Sequence, residues 1–69
     1  MVDNMTVRTY KVSNRALFMR DLLRVSHKLK ERFVITSFSF DNTEKKIIFV
    51  IDASDSFHNE LANLGYTSA

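Results

Sequence analysis

A row of three basic residues is the most regular group of chemically active side chains in this sequence. Arg20, Arg24 and Lys28 follow one another at intervals of four residues, so they share one face if the segment is helical. A basic helix face can contact nucleic-acid phosphates or an acidic protein surface. The alternative is an ordinary solvated face, since Asp21 and Glu31 lie at its margins.

The two histidines are the other candidates for chemistry, and neither lies in a catalytic motif. His27 falls on the polar side of the same predicted helix, and His58 lies between Asp55 and Glu60. A general base needs an orienting partner and a pocket, so we expect both histidines at the surface. The chain contains no cysteine, no glycine-rich phosphate loop and no HExxH motif. The sequence therefore predicts a protein that is not an enzyme, with no metal site and no cofactor.

The hydrophobic pattern predicts five elements in the order β-α-β-β-α, which position these residues. β-branched and aromatic runs indicate three strands, at 6–12, 34–40 and 45–52. Apolar residues at helical spacing indicate two helices, at 13–33 and within 54–66. Each helix begins at a short polar residue that can cap it, Ser13 or Asn14 for the first and Ser54 or Asp55 for the second.

The hairpin of the second and third strands predicts a core face and an open face of the sheet. Pairing Phe40 with Lys45 gives the core face six apolar residues, namely Val34, Phe38, Phe40, Ile47, Phe49 and Ile51. The opposite face carries Ile35, Ser37, Ser39, Lys46, Ile48 and Val50. With the third strand between the first two, both helices cover the core face. An uncovered apolar sheet face is typical of a contact with another chain, so we predict a protein interface at Ile35, Ser37, Ile48 and Val50.

The run from Ala16 to Tyr66 has a helix, a strand entered at FVI, a hairpin and a second helix. Most of it reads LLRVSHKLKERFVITSFSFDNTEKKIIFVIDASDSFHNELANLGY. This run resembles the ACT domain, the ferredoxin-like module of amino-acid-regulated enzymes, and is most similar to the small subunits of acetolactate synthase. The resemblance implies a truncated ferredoxin-like α+β fold, an antiparallel sheet with two helices on one face, in a regulatory subunit.

Two features separate the chain from the ACT pattern. The family has a glycine-containing turn between first strand and first helix, where backbone N–H groups meet the effector, whereas residues 12–17 contain no glycine. The family also has a fourth strand, and without it the first strand is an open edge for pairing with another chain. We therefore expect a fold used for assembly, without the amino-acid site at Ser13 and Asn14.

Length and composition complete the prediction. The 69 residues, 45% hydrophobic and 26% charged, indicate one small domain at 6–69 after a flexible extension at 1–5. The formal net charge of +2 is too small to demand nucleic acid. No apolar run is long enough for a membrane span and the first residues do not form a signal peptide, so we expect a cytoplasmic protein.

The function that these observations favour is a non-catalytic regulatory or adaptor module. Because a core of this size gives limited stability, we expect a homodimer or higher oligomer, which docks on a larger protein. One alternative is a nucleic-acid-binding accessory protein that uses the basic helix face. Another is a small accessory or inhibitor protein, of the type that phages encode, that binds a host enzyme.

Overall fold

The computed structural model describes residues 5–68, and these form three strands and two helices. The elements are β1 (Met5–Val12), α1 (Arg15–Leu29), β2 (Val34–Asp41), β3 (Lys46–Ser54) and α2 (Asp55–Asn63). β3 pairs antiparallel with both other strands, so the sheet order is β1-β3-β2. The predicted α+β fold, with its central third strand and both helices on one side of the sheet, is confirmed.

One hydrophobic core lies between the helices and the sheet. Its buried apolar residues are Tyr10, Val12, Phe18, Leu22, Val25, Phe49, Ile51, Ala53, Phe57 and Leu61. The ring of Phe18 lies at its centre, 4.9 Å from the ring of Phe49 and 5.7 Å from that of Tyr10. Every strand residue in this list points to the same face of the sheet, because alternate residues of a strand share a face.

Polar side chains start both helices, and a lysine ends the first. The side chain of Asn14 accepts from the Leu17 N–H at 3.0 Å, and that of Ser54 accepts from the Phe57 N–H at 3.1 Å. Lys30 takes a left-handed conformation, with φ 55°, and its N–H donates to the Ser26 carbonyl. The prediction that this helix continues to residue 33 was therefore wrong, since left-handed C-caps are usually glycine and no glycine marked this end.

The register of the hairpin differs from the predicted one by two residues. Phe40 pairs with Ile47 and Phe38 with Phe49, so the turn occupies residues 42–45 and β3 begins at Lys46. The Asp41 carboxylate accepts from the backbone N–H groups of residues 43 and 44, which fixes this later turn. Because a shift of two preserves the face of each side chain, the facing of these phenylalanines was predicted correctly.

A β-bulge at Thr36 reverses the facing of the first two residues of β2. Ile35 pairs with Ile51 and Ser37 with Val50, so β2 has one more residue than β3 between these pairs. Ile35 consequently packs against the core, and Val34 takes its place on the open face. The prediction of Ile35 as an open-face interface residue was wrong, because an extra residue inverts the alternation that precedes it.

The two ends of the described chain are the start of β1 and the segment that follows α2. β1 begins at Met5, one residue before the predicted strand, and residues 1–4 of the predicted extension lie outside the described part. After Gly65, whose φ is 101°, Ser68 forms a single antiparallel bridge with Tyr10 on the outer edge of β1. No helix within residues 5–68 is long and apolar enough to cross a membrane.

Candidate functional site

The open face of the sheet is the largest candidate surface. The cross-strand rows Lys11–Ile48–Ser39, Thr9–Val50–Ser37 and Val7–Asp52–Val34 form it, and Met5 extends it along β1. Val7 is 58% exposed and Val34 is 52% exposed, and Met5 is exposed as well. No helix of the described chain lies on this side of the sheet, so its apolar side chains face solvent.

Three of the four predicted interface residues lie on this open face. Ser37, Ile48 and Val50 form adjacent rows at its centre, as the alternation of the hairpin predicted. Val7 and Val34 were not predicted to lie there. Val7 escaped notice because the facing of β1 was ambiguous, and Val34 because the bulge has no signature in the sequence.

The size of the open face limits how strong a contact it can make. Three strands of about eight residues cover roughly 27 by 14 Å at the usual rise and spacing of β-strands. That footprint is well below the roughly 800 Å² that each partner buries in an interface of standard size. A contact through this face alone is therefore expected to be weak and dependent on concentration.

Asp52 of the central strand has an unsatisfied acceptor beneath this surface. It lies in the row between Val7 and Val34, and its Oδ1 is buried without a hydrogen-bond partner among the described residues. Leaving such an atom unpaired costs about 1–3 kcal/mol. Because this oxygen is covered by the described chain itself, a partner on the open face does not reach it.

The basic row lies on the outer surface of α1, as predicted, but two of its three residues form ion pairs. Lys28 Nζ lies 2.9 Å from Glu60 Oε1 on α2, and Arg20 Nη2 lies 3.7 Å from Asp21 Oδ1. Arg24 makes no ion pair within residues 5–68. The exposed His27 lies beside these residues at a shallow hollow of about 400 Å³. Pairing with carboxylates reduces the positive charge that this face offers to an anionic partner.

His58 is buried, so the prediction of a surface histidine was wrong. It is 4% exposed and joins α2 to β1 through both ring nitrogens. Nε2 lies 2.7 Å from the Thr6 carbonyl oxygen, and Nδ1 lies 2.7 Å from the Tyr10 hydroxyl. A carbonyl oxygen only accepts, so Nε2 carries the proton and Nδ1 of the neutral ring accepts from Tyr10. No sequence pattern indicates this pair, because its members are 48 residues apart.

A polar cavity of about 350 Å³ lies beside this pair, between β1, α2 and the C-terminal segment. Its lining residues are Arg8, Tyr10, His58, Asn59, Ala62, Tyr66, Thr67 and Ser68. Burial raises the pKa of the Tyr10 hydroxyl, and the nearby Arg8 guanidinium opposes that rise. Tyr10 is therefore neutral at physiological pH and can donate a hydrogen bond.

Asp21 is a second polar residue that the sequence did not predict to be buried. It lies on the flank of α1 that faces the C-terminal segment, where its Oδ2 accepts from the Tyr66 hydroxyl at 2.5 Å. Burial, and then the hydrogen bond and charge of Asp21, raise the pKa of Tyr66 to about 12. Asp21 is three residues after Phe18 and four before Val25, and this spacing was the available sign that it borders the buried stripe.

At the join between β1 and α1, a side chain of the protein caps the start of the helix. A cavity of about 260 Å³ lies there, lined by Lys11, Val12, Ser13, Asn14, Leu17 and Tyr66. The Asn14 side chain already accepts from the Leu17 N–H, which confirms the predicted cap. One backbone donor that an effector carboxylate would need is thus engaged. The absence of an amino-acid site stays a prediction.

Comparisons of the chain with protein-family models, with curated proteins and with solved structures found no match. The resemblance to the ACT domain thus stays a prediction, and the function has to be inferred from the surfaces described above.

Proposed function

We propose that this protein is a non-catalytic regulatory or adaptor module that self-associates through the open face of its sheet. The observation that supports this proposal is the apolar surface formed by Ile48 and Val50 with the exposed side chains of Val7 and Val34. Removing apolar surface from water is favourable by about 25 cal/mol per Å². No element within residues 5–68 covers this side of the sheet.

A second copy of the chain is the partner that fits the polar groups of this face. Thr9, Ser37 and Ser39 lie in its rows, and their hydroxyl groups can each donate and accept hydrogen bonds. A two-fold contact brings the same surface of each subunit together. Two such sheets can pack face to face with their strands about 30° apart, and each copy then supplies both donors and acceptors.

A separate apolar surface supports docking on a larger protein. Phe38 and Phe40 lie on the helix side of β2 and are 55% and 54% exposed, because the helices cover mainly β1 and β3. The ring of Phe38 contacts that of Phe49 at 5.2 Å, so it is held in place. Since this surface lies on the side opposite the open face, a dimer leaves it accessible to a partner with an apolar groove. Aromatic side chains are common anchors at such interfaces.

The nucleic-acid alternative receives less support from the geometry. Lys28 is paired with Glu60, and Arg20 lies close to Asp21, so Arg24 is the member of the row without an ion pair in the described chain. A single unpaired arginine neutralises few phosphates and gives a shallow salt dependence. Self-association therefore remains our proposal, in agreement with the assembly role that the ACT resemblance suggests.

Sedimentation of the wild type and two lysine variants tests this proposal. We expect the wild type to dimerise with a dissociation constant in the micromolar range, and Val50→Lys to abolish the dimer by placing a charge in the contact. Asn42→Lys adds the same charge in the exposed hairpin turn and should leave the dimer intact. A wild type that stays monomeric at high micromolar concentration would refute the proposal. If Val50→Lys dimerises as strongly as the wild type, the open face is not the contact, and the edge of β1 becomes the candidate instead.

A further inference from the structure

We infer that the polar cavity between β1 and α2 binds a small oxyanion, either a carboxylate or a phosphate group. This site is distinct from the open face, because it is built from the edge of β1, α2 and residues 66–68 on the helix side of the sheet. The inference does not depend on self-association.

The charge and hydrogen-bonding groups of the cavity favour an anion. Arg8 brings a guanidinium that makes no ion pair within residues 5–68, and Asn59, Thr67 and Ser68 bring uncharged donors. No aspartate or glutamate is among the residues that line the cavity. A guanidinium binds carboxylate and phosphate oxygens with paired hydrogen bonds. The volume of about 350 Å³ lies at the small end of ligand sites, which suits a small ligand.

The buried Tyr10–His58 pair forms one wall of the cavity. The His58 ring nitrogens lie 2.7 Å from the Tyr10 hydroxyl and 2.7 Å from the Thr6 carbonyl oxygen. Both side chains are almost fully buried, so this wall is held in place before a ligand arrives.

Titration of the full-length chain with inorganic phosphate and, separately, with acetate tests the inference by ¹⁵N NMR at constant ionic strength. We expect saturable shifts confined to Arg8, Asn59 and Ser68, with a millimolar dissociation constant for at least one probe. A response to phosphate alone identifies a phosphate site, and a response to acetate alone identifies a carboxylate site. Shifts that do not saturate, or that spread over the surface, would overturn the inference.

Two arginine variants provide the matched control. Arg8→Gln should weaken binding about tenfold or more, as the loss of a charge-assisted hydrogen bond predicts. Arg24→Gln removes the same charge from the exposed face of α1 and should bind like the wild type. Equal weakening in both variants would show a general charge effect and contradict the proposed site. Because Arg8 and Arg24 are both exposed, we expect both variants to fold like the wild type, so a difference in binding reports on the cavity.

Discussion

At the scale of single residues, His58 fastens α2 to β1 through two hydrogen bonds of 2.7 Å. Replacing Tyr10 with Phe keeps the ring but leaves Nδ1 of His58 buried without a donor. We expect this variant to lower the free energy of unfolding by about 1–2 kcal/mol, measured by denaturant titration. A variant as stable as the wild type would show that the Tyr10–His58 bond contributes nothing to folding.

The tautomer of His58 can be read independently. Long-range ¹H–¹⁵N spectra at neutral pH should show the proton on Nε2, because the Thr6 carbonyl accepts from that nitrogen. The exposed His27 is the internal reference, since the chain has two histidines and an exposed ring exchanges between both tautomers. A proton found on Nδ1 of His58 would contradict the hydrogen bonds described here.

The raised pKa of Tyr66 predicts a loss of stability in alkaline solution. Burial and Asp21 raise its pKa to about 12 in the folded state, above the value of about 10 in an unfolded chain. The folded state therefore holds this proton more tightly than the unfolded chain does. The contribution of Tyr66 to the free energy of unfolding is complete below pH 10 and is lost as the pH rises toward 12. Ultraviolet titration of tyrosinate should give a midpoint near 12 for Tyr66, and Asp21→Asn should lower it. Two midpoints near 10 would contradict the Asp21 contact.

These buried polar residues also show what a sequence pattern does not contain. Asp21 and His58 are polar, and their burial depends on Tyr66 and Tyr10, which lie 45 and 48 residues away. Periodicity compares neighbours along the chain and has no access to such distant partners. Residues whose surroundings are local were predicted correctly, as the Asn14 cap and the exposed His27 show.

At the scale of the elements, the bulge at Thr36 decides which side chain of β2 supports the core. Ile35 packs against the buried residues, while Val34 is exposed on the open face. We expect Ile35→Ala to lower the free energy of unfolding by about 2 kcal/mol and Val34→Ala to change it by less than about 0.5 kcal/mol. Thermal or denaturant unfolding of this pair checks the facing. A larger loss of stability for Val34→Ala than for Ile35→Ala would show that Val34 supports the core, as an unbroken alternation predicts.

The order of the elements was predictable because each one carries its own periodicity. Helical spacing marked α1 and α2, and β-branched runs marked the three strands. The end of α1 and the register of the hairpin were not predictable, because Lys30 and Lys45 adopt left-handed conformations, with φ of 55° and 59°. Such conformations are uncommon for residues other than glycine, so neither lysine gave a turn signal.

At the scale of the whole molecule, the sheet separates two surfaces with different proposed roles. The open face is proposed to join two copies of the chain, and the helix side carries the exposed Phe38 and Phe40 and the polar cavity. The division follows from the topology, since three strands and two helices on one side leave the other side uncovered. The sequence predicted this division, although it assigned Ile35 rather than Val34 to the open face.

The identity of the contacting side chains tests the central claim most directly. Isotope-filtered NOE spectra of a mixed sample, with one copy labelled and the other unlabelled, report only contacts between subunits. Self-association through the open face predicts intermolecular contacts among the methyl groups of Val7, Ile48 and Val50, at concentrations where sedimentation shows a dimer. Intermolecular contacts confined to the rings of Phe38 and Phe40, with none to these methyl groups, would contradict it.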